Sequence, residues 1–241
     1  MSTLRVGGCQ TPEILADVGS ALECMESFAA QADAQGVELL LFPECFLQGY
    51  LVDQQHLHKH AIGLDELPYR RLSRIEPTLA FGMIERRDGR FFNTVAVVER
   101  GELLGAYRKT HLVPGEALFD KGNDYPIFEC GGLRFGINIC YDMQFAEAAA
   151  AVAAQGATLL LGSAQNMARR QAAEHWKERH NRIRAERVRE TGMWLVSSDV
   201  TGMRGPERIA YGPTCVFNPR AEIVAQVPLM TVGMAVADIE A

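Results

Sequence analysis

The chain has 241 residues, 48% of them hydrophobic and 22% charged, with a net charge of −6. That is globular composition, long enough for a large core, and its mildly acidic balance argues against a general nucleic-acid binder. No linker or low-complexity tract divides the sequence, so one domain over 1–241 is expected. The opening "MSTLRVGGCQ" lacks the basic head and apolar stretch of a secretory leader. The longest low-polarity span, 148–164, is interrupted by Gln155 and Gly156 and reads as a helix followed by a strand, not as a membrane span. The six cysteines (Cys9, Cys24, Cys45, Cys130, Cys140 and Cys215) are irregularly spaced and form no C-x-x-C pair. They read as reduced thiols of a cytoplasmic protein rather than a disulfide framework or a zinc site.

In chain order, "LRVGGC" at 4–9 predicts a strand. Residues 14–35 predict a helix, with Ile14, Val18, Ala21, Met25 and Phe28 at helical spacing and Gly36 as the stop. "VELLLF" at 37–42 predicts a buried strand ended by Pro43. "TLAFGMIE", "FFNTVAVVE" and "ELLGAYRK" follow as strands with tight turns such as Asp88-Gly89. "YPIFECGGLRFGINIC" predicts a hairpin, with Gly131-Gly132 as its two-residue turn. An alanine-rich helix over 145–155, the strand "ATLLLG", a long charged helix over 171–191 and the strand "MWLVSSD" complete the pattern, with further strands to the end. Helices alternate with strands at both ends around a strand-rich middle, which predicts a layered α/β or α+β fold.

Three polar residues stand where strands end. Cys140 follows the apolar run 133–139, and a helix is predicted within a few residues. Cysteine is often just a small buried hydrophobe. On a strand-to-helix turn, however, a side chain is held up into a cleft, as in a nucleophile elbow. Backbone N–H groups at the new helix start point into the same space, that of Tyr141 being placed to receive negative charge, and the helix dipole favours thiolate. Glu44 follows a buried strand and a proline in "LLLFPECF", and Lys109 ends the strand in "GAYRKTHL". Either charge alone reads as the solvated start of a loop. An acid, a base and a thiol in three such places form a catalytic set if their strands lie side by side.

Three blocks, "LLLFPECFLQGY", "YRKTHLVPGEALFDKGN" and "FGINICYDMQFAE", resemble in order the signature blocks of the nitrilase superfamily, the carbon–nitrogen hydrolases. Weaker resemblance covers roughly residues 4–237. The resemblance implies a four-layer α-β-β-α sandwich, a tendency to form homodimers or higher homo-oligomers, and no metal or nucleotide cofactor. It implies a small-molecule amide or nitrile substrate, with no nucleic-acid or membrane partner. It puts the family's catalytic Glu, Lys and Cys on Glu44, Lys109 and Cys140, and a supporting second glutamate on Glu116. The chain departs from the family pattern at Ala146, where proline is common, at Asp199, often Asn, and at Arg189, more often apolar. It also ends at "VADIEA", where relatives usually continue into a tail that helps build the dimer.

Under this resemblance Cys140 attacks the substrate carbon, Glu44 moves the proton, and Lys109 with the Tyr141 N–H holds the oxyanion. Glu116 orients Lys109 and Glu44 or holds the substrate amine. "CYDMQFAE" is similar to the block of amidases acting on short ω-amido acids, whereas nitrilases more often carry Trp-Glu after the cysteine and carbamoylases carry arginines near Met143 and Gln144. An amide that releases ammonia is therefore expected, with nitrile and N-carbamoyl substrates as alternatives. Tyr50, Gln144 and Gln165 are candidate pocket residues, each with an equally good structural use.

Other readings stay open. His111 could replace Glu44 as base in a Cys/His pair. In "HLHKH", His56, His58 and His60 would share a strand face and could bind metal, or belong to a solvated segment. The domain could also be an inactive binding or regulatory homologue. "ARRQAAEHWKERHNRIRAERVRE" is rich in Arg, but interleaved glutamates favour a salt-bridged surface or dimer helix, with pairs such as Glu178–Arg182 and with Trp176 and Ile183 turned inward.

Overall fold

Leucine- and valine-rich runs set the strands, and turn residues decide which neighbours pair. The computed structural model describes residues 3–240; Met1, Ser2 and Ala241, the two ends of the expected domain, lie outside the described residues. The strands are β1 (Thr3–Pro12), β2 (Leu39–Leu41), β3 (Thr78–Arg87), β4 (Arg90–Glu99), β5 (Glu102–Arg108), β6 (Phe128–Cys130), β7 (Leu133–Ile139), β8 (Leu159–Ser163), β9 (Ala168–Arg169), β10 (Trp194–Arg204), β11 (Arg208–Tyr211), β12 (Cys215–Phe217), β13 (Ile223–Gln226) and β14 (Gly233–Glu240). The helices are α1 (Val18–Asp33), α2 (Gln54–His60), α3 (Tyr69–Leu72), α4 (Ala146–Ala153), α5 (Arg170–Trp176) and α6 (Arg179–Thr191).

The hairpin turns follow the local chemistry. Asp88 and Gly89 have φ of 51° and 74°, and Gly131 and Gly132 have φ of 55° and 80°. Two successive positive φ values match the right-handed twist of the flanking strands. Helix α1 starts later than expected because Asp17 caps it, accepting from the Ser20 N–H at 3.0 Å, so Ile14 precedes the helix. The charged segment is two helices, not one: α5 ends at Trp176 and α6 begins at Arg179. No Gly or Pro marks this break, so nothing local announced it. Two of its ion pairs run i,i+3, Glu174–Lys177 at 3.7 Å and Arg187–Glu190 at 2.9 Å, in place of the expected Glu178–Arg182 pair.

Strand order is β5-β4-β3-β2-β1-β10-β8-β7-β6. The sequence period of two separates the layers. Leu39 and Leu41 join Val95, Tyr107, Phe135, Ile137, Leu159 and Val196 in the core between the β1–β5 side and the β6–β8 side. Leu40 faces the other way, with Phe81 and Val98, onto Leu22, Met25 and Phe28 of α1 and Leu72 of α3. Leu160, Leu195 and Phe217 pack outward onto Val152 of α4 and Val188 of α6. Helices thus cover both outer faces of the paired sheets, the α-β-β-α layering expected above.

Strand β10 belongs to both halves. Its first part, to Ser198, pairs with β8, and from Asp199 it pairs with β1. The strands β1, β2, β3, β7, β8 and β10 are parallel in sequence along this order. Strand β5 is antiparallel to β4, itself antiparallel to β3, so β5 runs the same way as the rest. Their C-terminal ends therefore share one edge, and the residues that follow them meet there.

Candidate active site

Each of the three strand-end residues reaches this edge by a specific local device. After β2 the chain turns at Phe42 and Pro43 and lies directly on β3, where the Gly82 N–H donates to the Pro43 carbonyl at 3.1 Å. A Cβ on Gly82 would sit 2.3 Å from the Cys45 nitrogen, so only glycine lets this turn come close enough to aim Glu44 inward. Lys109 follows β5, and its N–H donates to the Asn93 carbonyl at 2.9 Å. Cys140 follows β7 with φ of 44°, a strained position for a residue with a Cβ. The segment after it is a five-residue 3-10 turn, Cys140–Gln144, and α4 starts only at Ala146 rather than at the expected 145.

The elbow is pinned by Asp142, which is fully buried. Its carboxylate accepts from the Ile139 N–H at 2.9 Å, the Tyr107 hydroxyl at 2.7 Å, the Thr110 hydroxyl at 3.0 Å and the His111 N–H at 2.8 Å. One side chain thus ties the cysteine turn to the loop that carries Lys109. His111 also puts Nδ1 3.1 Å from Asp142 and stacks on Phe145 with ring centroids 3.8 Å apart. It belongs to the scaffold of the elbow and does not line the cavity, which removes the physical basis for a Cys/His pair.

Glu44, Lys109 and Cys140 all line one cavity of about 310 Å³. Lys109 Nζ donates to Glu44 Oε1 at 2.6 Å and to Glu116 Oε1 at 2.9 Å, with all three side chains 1% exposed or less. Asn93, which was not anticipated, donates Nδ2 to the same two oxygens at 2.7 and 2.9 Å. Glu116 uses its other oxygen to accept from the Val113 N–H at 2.9 Å. Asn93 lies near the start of β4, at the same edge because β4 runs the opposite way. It reads as an ordinary strand residue in the sequence, and only the pairing of β3 and β4 reveals its use.

Burial dominates the titration of this cluster. It pushes the Glu44 carboxyl up, with Glu116 adding to it and Lys109 opposing it. It pushes the Cys140 thiol well up, helped by Glu44, so the resting sulfur is a thiol and the short 3-10 turn does not make it a thiolate. Burial opposes the charge on Lys109, but Glu44, Cys140 and Glu116 outweigh it and hold the ammonium protonated.

The candidate pocket residues all line the cavity, in different states. Tyr50 is half-buried and Gln144 sits at the exposed rim. Gln165 is already engaged, donating Nε2 to Glu13 at 2.5 Å and accepting from the Met167 N–H at 3.3 Å. The opposite wall comes from the segment read as a surface or dimer helix: Trp176, Lys177, His180, Ile183 and Arg184 face the cavity. Trp176 and Ile183 do turn inward, onto this cavity. "HLHKH" is helical, in α2, so i and i+2 diverge. His56 and His60 stack at 4.7 Å, with His56 Nε2 3.2 Å from the Gly49 carbonyl, while His58 turns to Phe91. The strand-face metal reading fails on this geometry.

Comparison with known proteins agrees with this architecture. A family model described as carbon-nitrogen hydrolase matches residues 5–241. A Pseudomonas protegens protein described as "hydrolase in pqqF 5'region" is 33% identical over 176 residues, 69% of this chain and 61% of that protein, so the match spans less than two thirds of this relative. Human omega-amidase NIT2 is 29% identical over 217 residues, 83% of this chain and 76% of the relative. In fold, the chain matches a mutant of the amidase from Nesterenkonia sp. AN1, solved with acrylamide added to its active-site cysteine. That likeness has a TM-score of 0.84 at 24% identity, over 98% of this chain and 93% of the other. Three ordered sequence blocks, a layered sandwich that carries them to one cavity, and a family match over nearly the whole length converge on one conclusion: the chain belongs to the carbon–nitrogen hydrolase family, the nitrilase superfamily.

Proposed function

We propose that the protein hydrolyses small linear amides, releasing ammonia through a thioester on Cys140. The observation that carries this reading is the buried Glu44–Lys109–Glu116 cluster, whose Glu44 and Lys109 line the same cavity as the thiol. Cys140 needs a base because burial keeps it protonated, and Glu44, with its raised pKa, is suited to take that proton. Sulfur attacks the carbonyl carbon, and the developing oxyanion is held by Lys109 and the Tyr141 N–H, each such donor being worth about 3–4 kcal/mol in the transition state. Glu44 then passes its proton to the nitrogen, the C–N bond breaks and ammonia leaves. Water, deprotonated by Glu44, attacks the thioester; the sulfur departs and regains its proton from Glu44.

Glu116 is a second carboxylate on Lys109, bridged to Glu44 by Asn93. Two carboxylates against one ammonium leave a net negative charge before any thiolate forms, which opposes a further negative charge on the sulfur. An amide is preferred over a nitrile or an N-carbamoyl compound because of the "CYDMQFAE" block and because a relative similar over most of the chain is an omega-amidase. In this reading the enzyme is a cytoplasmic homodimer. None of its six cysteines is paired, which fits a reducing compartment, and light scattering on the purified protein tests the dimer. Among the described residues, no helix is long and apolar enough to cross a membrane.

The test is ammonia release from matched short amides, nitriles and N-carbamoyl compounds, with mass spectrometry of the Cys140 peptide from the parent enzyme quenched in acid during turnover. Amide turnover and an acyl adduct on Cys140 are expected. Turnover of nitriles alone, or an adduct on another residue, refutes the reading.

A further inference from the structure

The cavity holds a polar group that the chemistry above does not use. Asn166 lines the cavity beside the thiol, with Oδ1 3.8 Å from Cys140 Sγ. Its orientation is set from behind. Asn166 gives both its backbone N–H, at 3.0 Å, and its Nδ2 to the two oxygens of Asp199. Ionised Asp199 only accepts hydrogen bonds, so the amide nitrogen faces it and the carbonyl oxygen faces the cavity; burial raises the Asp199 pKa to about 7, so this orientation belongs to pH values above that.

Asp199 is itself locked. It is fully buried, it sits where β10 passes from one sheet to the other, and its Oδ1 also accepts from the Val200 N–H at 2.9 Å. Arg184 lies 3.8 Å away and is fixed by the Pro213 carbonyl at 2.6 Å and Asn181 at 3.1 Å. A buried ion pair thus holds one neutral amide so that its oxygen faces the reacting centre, where it accepts from the Cys140 thiol at 3.8 Å until substrate takes that place. The cost of burying those charges is offset only while the full set of partners stays in place.

We infer that Asn166 Oδ1 accepts a hydrogen bond from the N–H of the scissile amide, and that Asp199, with Arg184, is the positioning residue that keeps this acceptor aimed. The inference rests on the amidase reading and deepens it: Asn166 selects substrates whose leaving group carries an N–H. An ester of the same acid offers no such donor and gains nothing from the acceptor. The acceptor also favours the productive pose, since an amide bound with its C=O and NH2 exchanged would set its carbonyl oxygen against Asn166 Oδ1.

The experiment compares kcat/KM for a short primary amide and for the methyl ester of the same acid, in the parent enzyme and in Asn166→Ala. The expected result is a fall of about tenfold on the amide, the scale of one hydrogen bond in a dry site, against less than about twofold on the ester. Asn166→Ser supplies the same comparison if the alanine variant does not fold. Asn166→Asp combined with Asp199→Asn reverses the polarity of the contact while still presenting an oxygen to the cavity. It is expected to recover amide preference that Asp199→Asn alone loses. Equal losses on amide and ester in Asn166→Ala, or no recovery in the double variant, overturn the inference and leave Asn166 as packing. A parent enzyme that cleaves the ester and no amide refutes the amidase reading itself, and the inference with it.

Discussion

Two buried charge networks flank Cys140, and they are built in opposite senses. On the β2–β5 side a single ammonium, Lys109, is held by two carboxylates and by Asn93, which bridges them. On the β8–β10 side a single carboxylate, Asp199, faces one guanidinium, Arg184, and holds a neutral amide. The first network puts ionised groups on the cavity wall itself. The second keeps its carboxylate one residue back and shows the thiol a neutral oxygen, with the Arg184 guanidinium at the far wall. Charge placed at the reacting atoms can move protons and stabilise an oxyanion, whereas charge placed behind a neutral group can only orient it.

That contrast is open to test, and the largest effect belongs to the sulfur between the networks. Cys140→Ala is expected to reduce amide turnover to background with an unchanged circular dichroism spectrum; residual turnover of the parent's order would remove the sulfur from the chemistry. Lys109→Met leaves Glu44 and Glu116 buried without their cation, and is expected to cost about 3–5 kcal/mol of stability as well as activity. Chemical denaturation measures the first and ammonia release the second. Glu44→Gln preserves the packing and is expected to slow kcat/KM by about 10²–10⁴-fold, the usual range for a lost acid–base group.

The parent pH profile sharpens the same point. In the proposed mechanism the working form of Glu44 is the carboxylate, and burial raises its pKa, so activity is expected to be lost as pH falls through that raised value. The acid limb is therefore expected above the ordinary glutamate value of about 4.3. A limb at or below it would mean that Glu44 is not the group titrating. Asn93→Ala withdraws one donor from two buried carboxylates and is expected to cost about 1–3 kcal/mol, read as a lower denaturation midpoint. The smallest effect belongs to His111→Ala. It is expected to lose about 1 kcal/mol or less of stability with kcat/KM nearly unchanged, because His111 serves the elbow and not the proton. Near-complete loss of activity in a folded His111→Ala protein would reinstate a Cys/His pair.

Much of the frame was legible because its signals are local. The continuous apolar run in "VELLLF" reports a strand whose two faces are both buried, and Asp88-Gly89 and Gly131-Gly132 report their turns through positive φ. Glu44, Lys109 and Cys140 stood out because a charge or a thiol directly after an apolar run is unusual. Asn93, Asp142 and Asn166 did not, since a polar residue within or just after a strand has many uses and its partner is chosen by the sheet, not by its neighbours in sequence. Of the two readings left open for "HLHKH", the strand face fails for a local reason: the Asp53 cap, accepting from the His56 N–H at 2.9 Å, decides for a helix.

By itself the sequence determined the alternation of strands and helices, the hairpin turns and the three residue types at strand ends, because each depends on the backbone preferences of a few adjacent residues. Only the tertiary structure decided that parallel strands carry those ends to one edge, that Asn93 and Asp142 lock them together, and that the α5–α6 face closes the cavity as its far wall. Those outcomes depend on contacts between residues far apart along the chain, such as Gln10 and Asp199 paired across β1 and β10, or Glu44 and Lys109, 65 residues apart. They exist only once burial has removed the water that would otherwise satisfy each group separately.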